Sequence, residues 1–158
     1  MTVVELSDPD AYAHAIAKVL FTMDARALEA DDYRRLLMAH ADPLMSETGV
    51  ADLRHMVDER VPDETQWSRM RANRQWSQWS PTAGWEPETW TAVVTEGRAE
   101  PGWAMRNVTG TQTTHYVDAR QQRTASSEPT VTIGMRCPTP GSDVDHCYLT
   151  MIGTVVVP

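Results

Sequence analysis

The sequence predicts an α+β domain with helices in its first half and antiparallel strands in its second. Three observations predict this. Apolar residues recur at helical spacing from Tyr12 to Met23 and in three later segments. That spacing stops at Gln75, where Trp, Ser, Thr, Pro and Gly take over. Two strand-like runs then close the chain, Thr130 to Cys137 and Cys147 to Val157. With 158 residues, 41% of them hydrophobic and 23% charged, the chain has the size and composition of one globular domain, residues 1–158.

The first helix opens at Asp8-Pro9, where Asp8 can cap the free amides and Pro9 occupies a position whose missing N–H is harmless. Its apolar stripe is Tyr12, Ile16, Val19, Leu20 and Met23. A second helix is expected from about Asp31, with Tyr33, Leu36 and Leu37 inward, ending before Pro43. A third starts near Ser46 and buries Val50, Leu53, Met56 and Val57 before Pro62. A fourth runs from Asp63 to about Arg74, with Trp67 and Met70 inward.

Gln75 to Trp85 reads as a strand with irregular ends, since Pro81 and Gly84 interrupt any helical stripe. Pro87 to about Val94 reads as a short helix, although Trp90, Val93 and Val94 would also serve a strand. Trp103 to Val117 is Thr-rich and β-branched, which suits a half-exposed strand. Residues 118–128 are polar and read as a loop.

Val131, Ile133, Met135 and Cys137 share one parity, and Cys147, Leu149 and Met151 share it in the following strand. Placing Cys137 opposite Cys147 sets Met135 against Leu149 and Ile133 against Met151, so one register aligns every apolar pair. Cys137 and Cys147 are thus expected side by side in a hairpin. A disulfide there would contribute about 2 to 3 kcal/mol by loop closure and would persist in an oxidising compartment. Two buried free thiols are the alternative. A metal site is not expected: His146 is the one further ligand nearby, and the spacing matches no zinc pattern.

The net charge of −8, with thirteen Arg and one Lys scattered through the chain, argues against direct contact with a nucleic-acid backbone. No apolar run is long enough to span a bilayer, and residues 1–10 lack the basic start and apolar stretch of a signal peptide. GxSxG, a Gly-rich phosphate loop, HExxH and an EF-hand pattern are all missing, so no catalytic residue and no cofactor is assigned. Asp10/His14 and Asp52/His55 have the spacing of exposed helical ion pairs, and His40/Asp42, at the end of another helix, is read as an exposed pair as well. The Asp143-Val144-Asp145-His146 segment, beside Pro140-Gly141, reads as a solvated turn. Asn107-Val108-Thr109 is a formal glycosylation sequon within an expected strand.

Five of the six Trp fall between Trp67 and Trp90. Such density either fills a core where helices lie on a sheet or lines an interface. Trp76, Trp79 and Trp85 are spaced irregularly and cannot all face one way, which makes them the candidate interface anchors.

Helices followed by a curved antiparallel sheet is an order that resembles the NTF2-like, cystatin-like group, in which the N-terminal helix packs into the concave sheet. A closer resemblance rests on Asp8-Pro9-Asp10-Ala11-Tyr12-Ala13, Phe21-Thr22-Met23-Asp24 and Tyr33 through Ala41-Asp42-Pro43, with Glu86-Pro87-Glu88-Thr89-Trp90 and the Cys137 to Cys147 hairpin. These look like the extracytoplasmic domain of actinobacterial conjugation proteins, similar to the TcpC-type component of type IV secretion systems. The resemblance implies a non-catalytic scaffold at the outer side of the cell membrane, contacting other secretion-channel subunits or its own copies. It also implies a natural protein held to the membrane by an N-terminal anchor that this chain lacks. The other expectation is an NTF2-like small-molecule binder or enzyme with a pocket between the first helix and the sheet, for which Tyr12, His115, Trp103 and Tyr116 are the candidate lining residues.

Overall fold

In the computed structural model, which describes residues 5–158, α1 (Pro9–Phe21) starts where its cap dictates. The Asp8 carboxylate accepts from the Ala11 amide at 2.9 Å, and Pro9 takes the first helical position. Tyr12, Ala13, Ile16, Ala17, Val19, Leu20 and Phe21 are all buried, so this helix gives nearly its whole apolar stripe to the core. In α2 (Ala30–Ala39) the Asp32 carboxylate reaches back to the Glu29 amide at 2.9 Å. Ser46 caps α3 (Glu47–Arg60) through the Gly49 amide. Asp63 and Gln66 cap each other's amides at the start of α4 (Glu64–Ala72). In α3 Leu53 and Val57 are fully buried, while Val50 and Met56 are half-buried.

The strands are β1 (Trp76–Trp85), β2 (Trp103–Asp118), β3 (Gln121–Ser127), β4 (Thr130–Arg136) and β5 (Tyr148–Ile152), with a short α5 (Glu88–Thr95) between β1 and β2. They form one curved antiparallel sheet in the order β1-β2-β4-β5, with β3 also paired to β2. The expected loop over 118–128 is thus a strand. Its pairing with β2 runs from Asp118↔Gln121 to Gln112↔Ser127, and β4 continues the same register from Thr109↔Thr130 to Trp103↔Arg136. β3 and β4 are therefore two halves of one return strand, parted at Glu128-Pro129 where Pro129 has no N–H to donate. Ala119 and Arg120 make the tight turn, both in the left-handed region at φ 47° and 66°.

The β4–β5 register departs from the expected one at a single point. Met135 does oppose Leu149, but a bulge follows, so Met151 opposes Gly134 and Ile152, rather than Met151, opposes Ile133. Gly134 permits this, because a Cβ there would stand 2.8 Å from the Met151 Cβ. The bulge turns Ile152 into the core, where it is 2% exposed. β5 ends at Ile152, short of the expected Val157; beyond it the Gly153 amide donates to the Thr132 carbonyl at 2.8 Å and a two-bond bridge joins Val156 to Thr130. Cys137 and Cys147 are joined in a disulfide, both buried, with their Cα atoms 4.1 Å apart.

One sheet face carries Val108, Val131, Ile133, Met135, Leu149 and Ile152 against α1 and α3, forming a core continuous with the buried stripes of the helices. Both sheet edges are partly covered by backbone from the helical half. Asp24 bridges Trp76 at the start of β1, and Ala41 bridges Leu149 in β5.

Candidate functional site

α4 ends at Ala72, and Arg74, held at φ 52°, turns the chain into β1. Trp76 is then the first residue of the strand. Register places it opposite His115 of β2, and His115 opposite Thr124 of β3, so the three form one row on one face of the sheet. The His115 imidazole stacks on the Trp76 indole with centroids 4.3 Å apart and planes 16° apart. Its Nε2 is 2.8 Å from Gln78 Oε1, a contact that requires the proton on Nε2 and leaves Nδ1 as the acceptor of the neutral ring.

The α1–α2 connection supplies the next layer. The Arg26 guanidinium lies 4.4 Å from the Trp76 ring centroid and binds Asp24 through two parallel hydrogen bonds of 2.9 Å. Hydrogen bonding from Arg26 holds the Asp24 carboxyl below the usual carboxylate value and outweighs the opposing effect of burial. The segment is fixed from below as well. Tyr33 Oη accepts from the Asp24 amide at 2.8 Å, and Arg71 of α4 donates to the Ala25 and Leu28 carbonyls at 3.1 and 2.9 Å.

Between these parts lies a cleft of about 510 Å³, lined by Arg26, Arg74, Trp76, His115, Tyr116, Val117 and the β3 residues 122–124. Three arginines line it and no carboxylate does. Asp24 is matched to Arg26, whereas the ion pairs of the described residues include neither Arg74 nor Arg123. In a chain of net charge −8 this is a local concentration of positive charge beside an aromatic stack.

The candidate residues separate accordingly. Of the pocket candidates, His115 and Tyr116 meet in the cleft. Trp103 lies at the far end of β2 and is 46% exposed, and Tyr12 is buried in the α1 core. Burial pushes the Tyr12 phenol well above its ordinary pKa, and its hydroxyl has no hydrogen-bond partner. Of the interface candidates, Trp76 lies in the cleft and Trp85 is exposed. Trp79 is half-buried against Phe21 and His14, with ring centroids 5.7 and 6.4 Å away. No family model, curated protein or solved structure matches the chain.

None of the three short-range Asp/His pairs forms. Asp10 binds Arg106 at 2.7 Å while His14 Nδ1 meets the Asp10 carbonyl; His55 pairs with Glu59; and Asp42 pairs with Arg136. Asp42 takes Arg136 in two hydrogen bonds of 2.7 and 2.6 Å and also accepts from the Leu44 amide at 2.9 Å. Burial alone would raise the Asp42 pKa, but these bonds overcome it and hold the carboxyl below its ordinary value. Arg136 also lies over Tyr148, against which His146 packs with its ring tilted by 44°. His146 is one of two causes that lower the His40 pKa, burial being the larger. Among the described residues no three His, Cys, Asp or Glu side chains converge as metal ligands.

The arginines of the cleft and the Asp42–Arg136 pair escape sequence reasoning because each joins residues distant in the chain. The sole local hint is the sequence Arg74-Gln75-Trp76, a cation two residues before an aromatic strand start.

Proposed function

We propose that this chain is a non-catalytic assembly domain of NTF2-like type, working outside the cytoplasmic face of a membrane in a conjugative type IV secretion apparatus through protein–protein contacts. The observation that carries the contact role is an exposed apolar surface at one end of the sheet. Trp85, Val94 and Trp103 are 44%, 47% and 46% exposed. Trp85 opposes Asn107, four residues from Trp103 along β2 and on the same face. That separation is about 13 Å. Large aromatics exposed in this way are the usual anchors of protein interfaces. The compartment rests on the Cys137–Cys147 bond, and no helix among the described residues is long and apolar enough to cross a membrane. The secretion apparatus itself rests on the residue resemblance around Phe21-Thr22-Met23-Asp24 and Ala41-Asp42-Pro43.

The test is photo-cross-linking in the native host from positions 85 and 103, together with thiol trapping in intact cells. The reading expects adducts with another channel subunit or a second copy, and cysteines inaccessible to alkylation until reductant is added. Freely alkylated thiols in the cell would overturn the compartment, and no adduct from either position would overturn the contact surface.

A further inference from the structure

The cleft at the opposite end of β2 from Trp103 has a chemistry of its own, and we propose that it binds a small organic anion, a carboxylate or phosphate carried on a flat ring. The charge comes from Arg74, which has no ion-pair partner among the described residues, and from Arg26 and Arg123, which line the same cleft. Arg26 is half spoken for by Asp24, so its role is to hold the indole face. Arg74 is the donor left for a ligand.

The flat part of the ligand follows from the Trp76–His115–Thr124 row. Indole and imidazole are stacked nearly parallel, 4.3 Å apart, and Thr124 is the next residue in the row, which offers aromatic surface and a neighbouring polar residue to a ring with one polar edge. That surface is rigid. β1, β2 and β3 are hydrogen-bonded through it, and Val117 donates to the Asn73 carbonyl at 2.8 Å just below Arg74. A volume of about 510 Å³ lies within the range of small-ligand sites. Nucleic acid is the wrong occupant: the cations outside the cleft are scattered and form no run to follow a phosphate backbone, and the chain carries a net charge of −8.

Titration of the whole chain with phenyl phosphate, benzoate, benzamide and inorganic phosphate tests the assignment, read by calorimetry and by quenching of tryptophan fluorescence. Saturable binding of phenyl phosphate or benzoate is expected, and whichever binds more tightly identifies the anion. Benzamide should bind at least about tenfold more weakly, for want of a charge-assisted bond to arginine. Arg74→Gln should weaken binding by about tenfold, while Arg98→Gln, the same charge change at a remote exposed turn, should leave it unaltered. Arg123→Gln provides a second cleft variant should Arg74→Gln fail to fold. Failure of both aromatic anions to saturate would overturn the proposal, as would equal binding of benzamide or insensitivity to both cleft substitutions. Inorganic phosphate binding as tightly as phenyl phosphate would remove the ring from it. The Trp85–Trp103 contact surface lies at the other end of the sheet, so these outcomes do not bear on it.

Discussion

Opening the Cys137–Cys147 bond should lower the folding free energy by an amount set mainly by the length of the loop it closes. The two cysteines are ten positions apart. Fixing a loop of that length in the unfolded chain corresponds to about 9 cal/mol/K, or about 2.7 kcal/mol at 25 °C. For a chain of this size the same figure is a fall of roughly 5 to 11 °C in Tm. The assay is urea denaturation followed by circular dichroism on oxidised and fully reduced protein, with the Cys137→Ala/Cys147→Ala double variant as a control free of redox chemistry. Reduced and double-variant proteins should agree to within about 1 kcal/mol, since the sulfurs are buried in either state and removing them leaves only small voids. The urea slope of both should exceed that of the oxidised form, because an uncrosslinked unfolded chain exposes more surface. A reduced protein with an unchanged midpoint, its thiols confirmed free by mass, would refute the reasoning. The bond would then be redundant with the Met135–Leu149 and Arg136–Tyr148 pairing beside it.

The Asp42–Arg136 pair links the α2–α3 connection to β4, and both side chains are largely buried, at 4% and 11% exposed. Asp42→Asn should therefore cost on the order of 3 kcal/mol at neutral pH, measured by chemical denaturation. Because the folded Asp42 pKa is depressed, its stabilisation is complete above the unfolded carboxylate value near 4 and is lost as pH falls through the folded one; Asp42→Asn should flatten that acid limb of a stability profile. At Gly110 a Cβ would be driven against the Trp79 indole and the Ser80 carbonyl, so Gly110→Ala should destabilise by about 1 to 3 kcal/mol in the same assay. A neutral result there would show that β1 can shift away from β2 without penalty.

The helices were legible because their signals are local. Asp8-Pro9 and Ser46 mark their own starts, and the Tyr12 to Met23 stripe needs no partner to be seen. β3 was not legible, for the opposite reason. Gln121 to Ser127 is polar on both faces and almost wholly exposed, so it shows no alternation and is held by its backbone ladder to β2. Its turn is equally unmarked, since Ala119 and Arg120 adopt left-handed conformations without the usual Asn-Gly. The Cys137–Cys147 neighbourhood followed from parity, yet parity says nothing of a bulge, and Gly134 shifted the pairing beyond Met135. The facing of Trp76, Trp79 and Trp85 depended on a register shift between Pro81 and Ala83 that exists only once β2 is alongside. As for the cleft, Trp76, His115 and Tyr116 were singled out on separate grounds, but Arg26, Arg74 and Arg123 come from three distant segments that only the folded chain assembles.

The two edge bridges have a geometric consequence. Asp24 is tied to the β1 edge at the row of His115, and Ala41 to the β5 edge at the row of Ala104, so the anchor points lie at opposite corners of the sheet. On a flat sheet those corners would stand about 24 Å apart across the strands and about 36 Å apart along them, a diagonal of roughly 43 Å. The chain between them is shorter. A tight turn from Asp24 to Leu28, the ten residues of α2 and two short extended pieces reach only about 34 Å. The segment is like the string of a bow: both bridges can hold at once only on a bent sheet, so the length of this tether and the bend of the strands have to match.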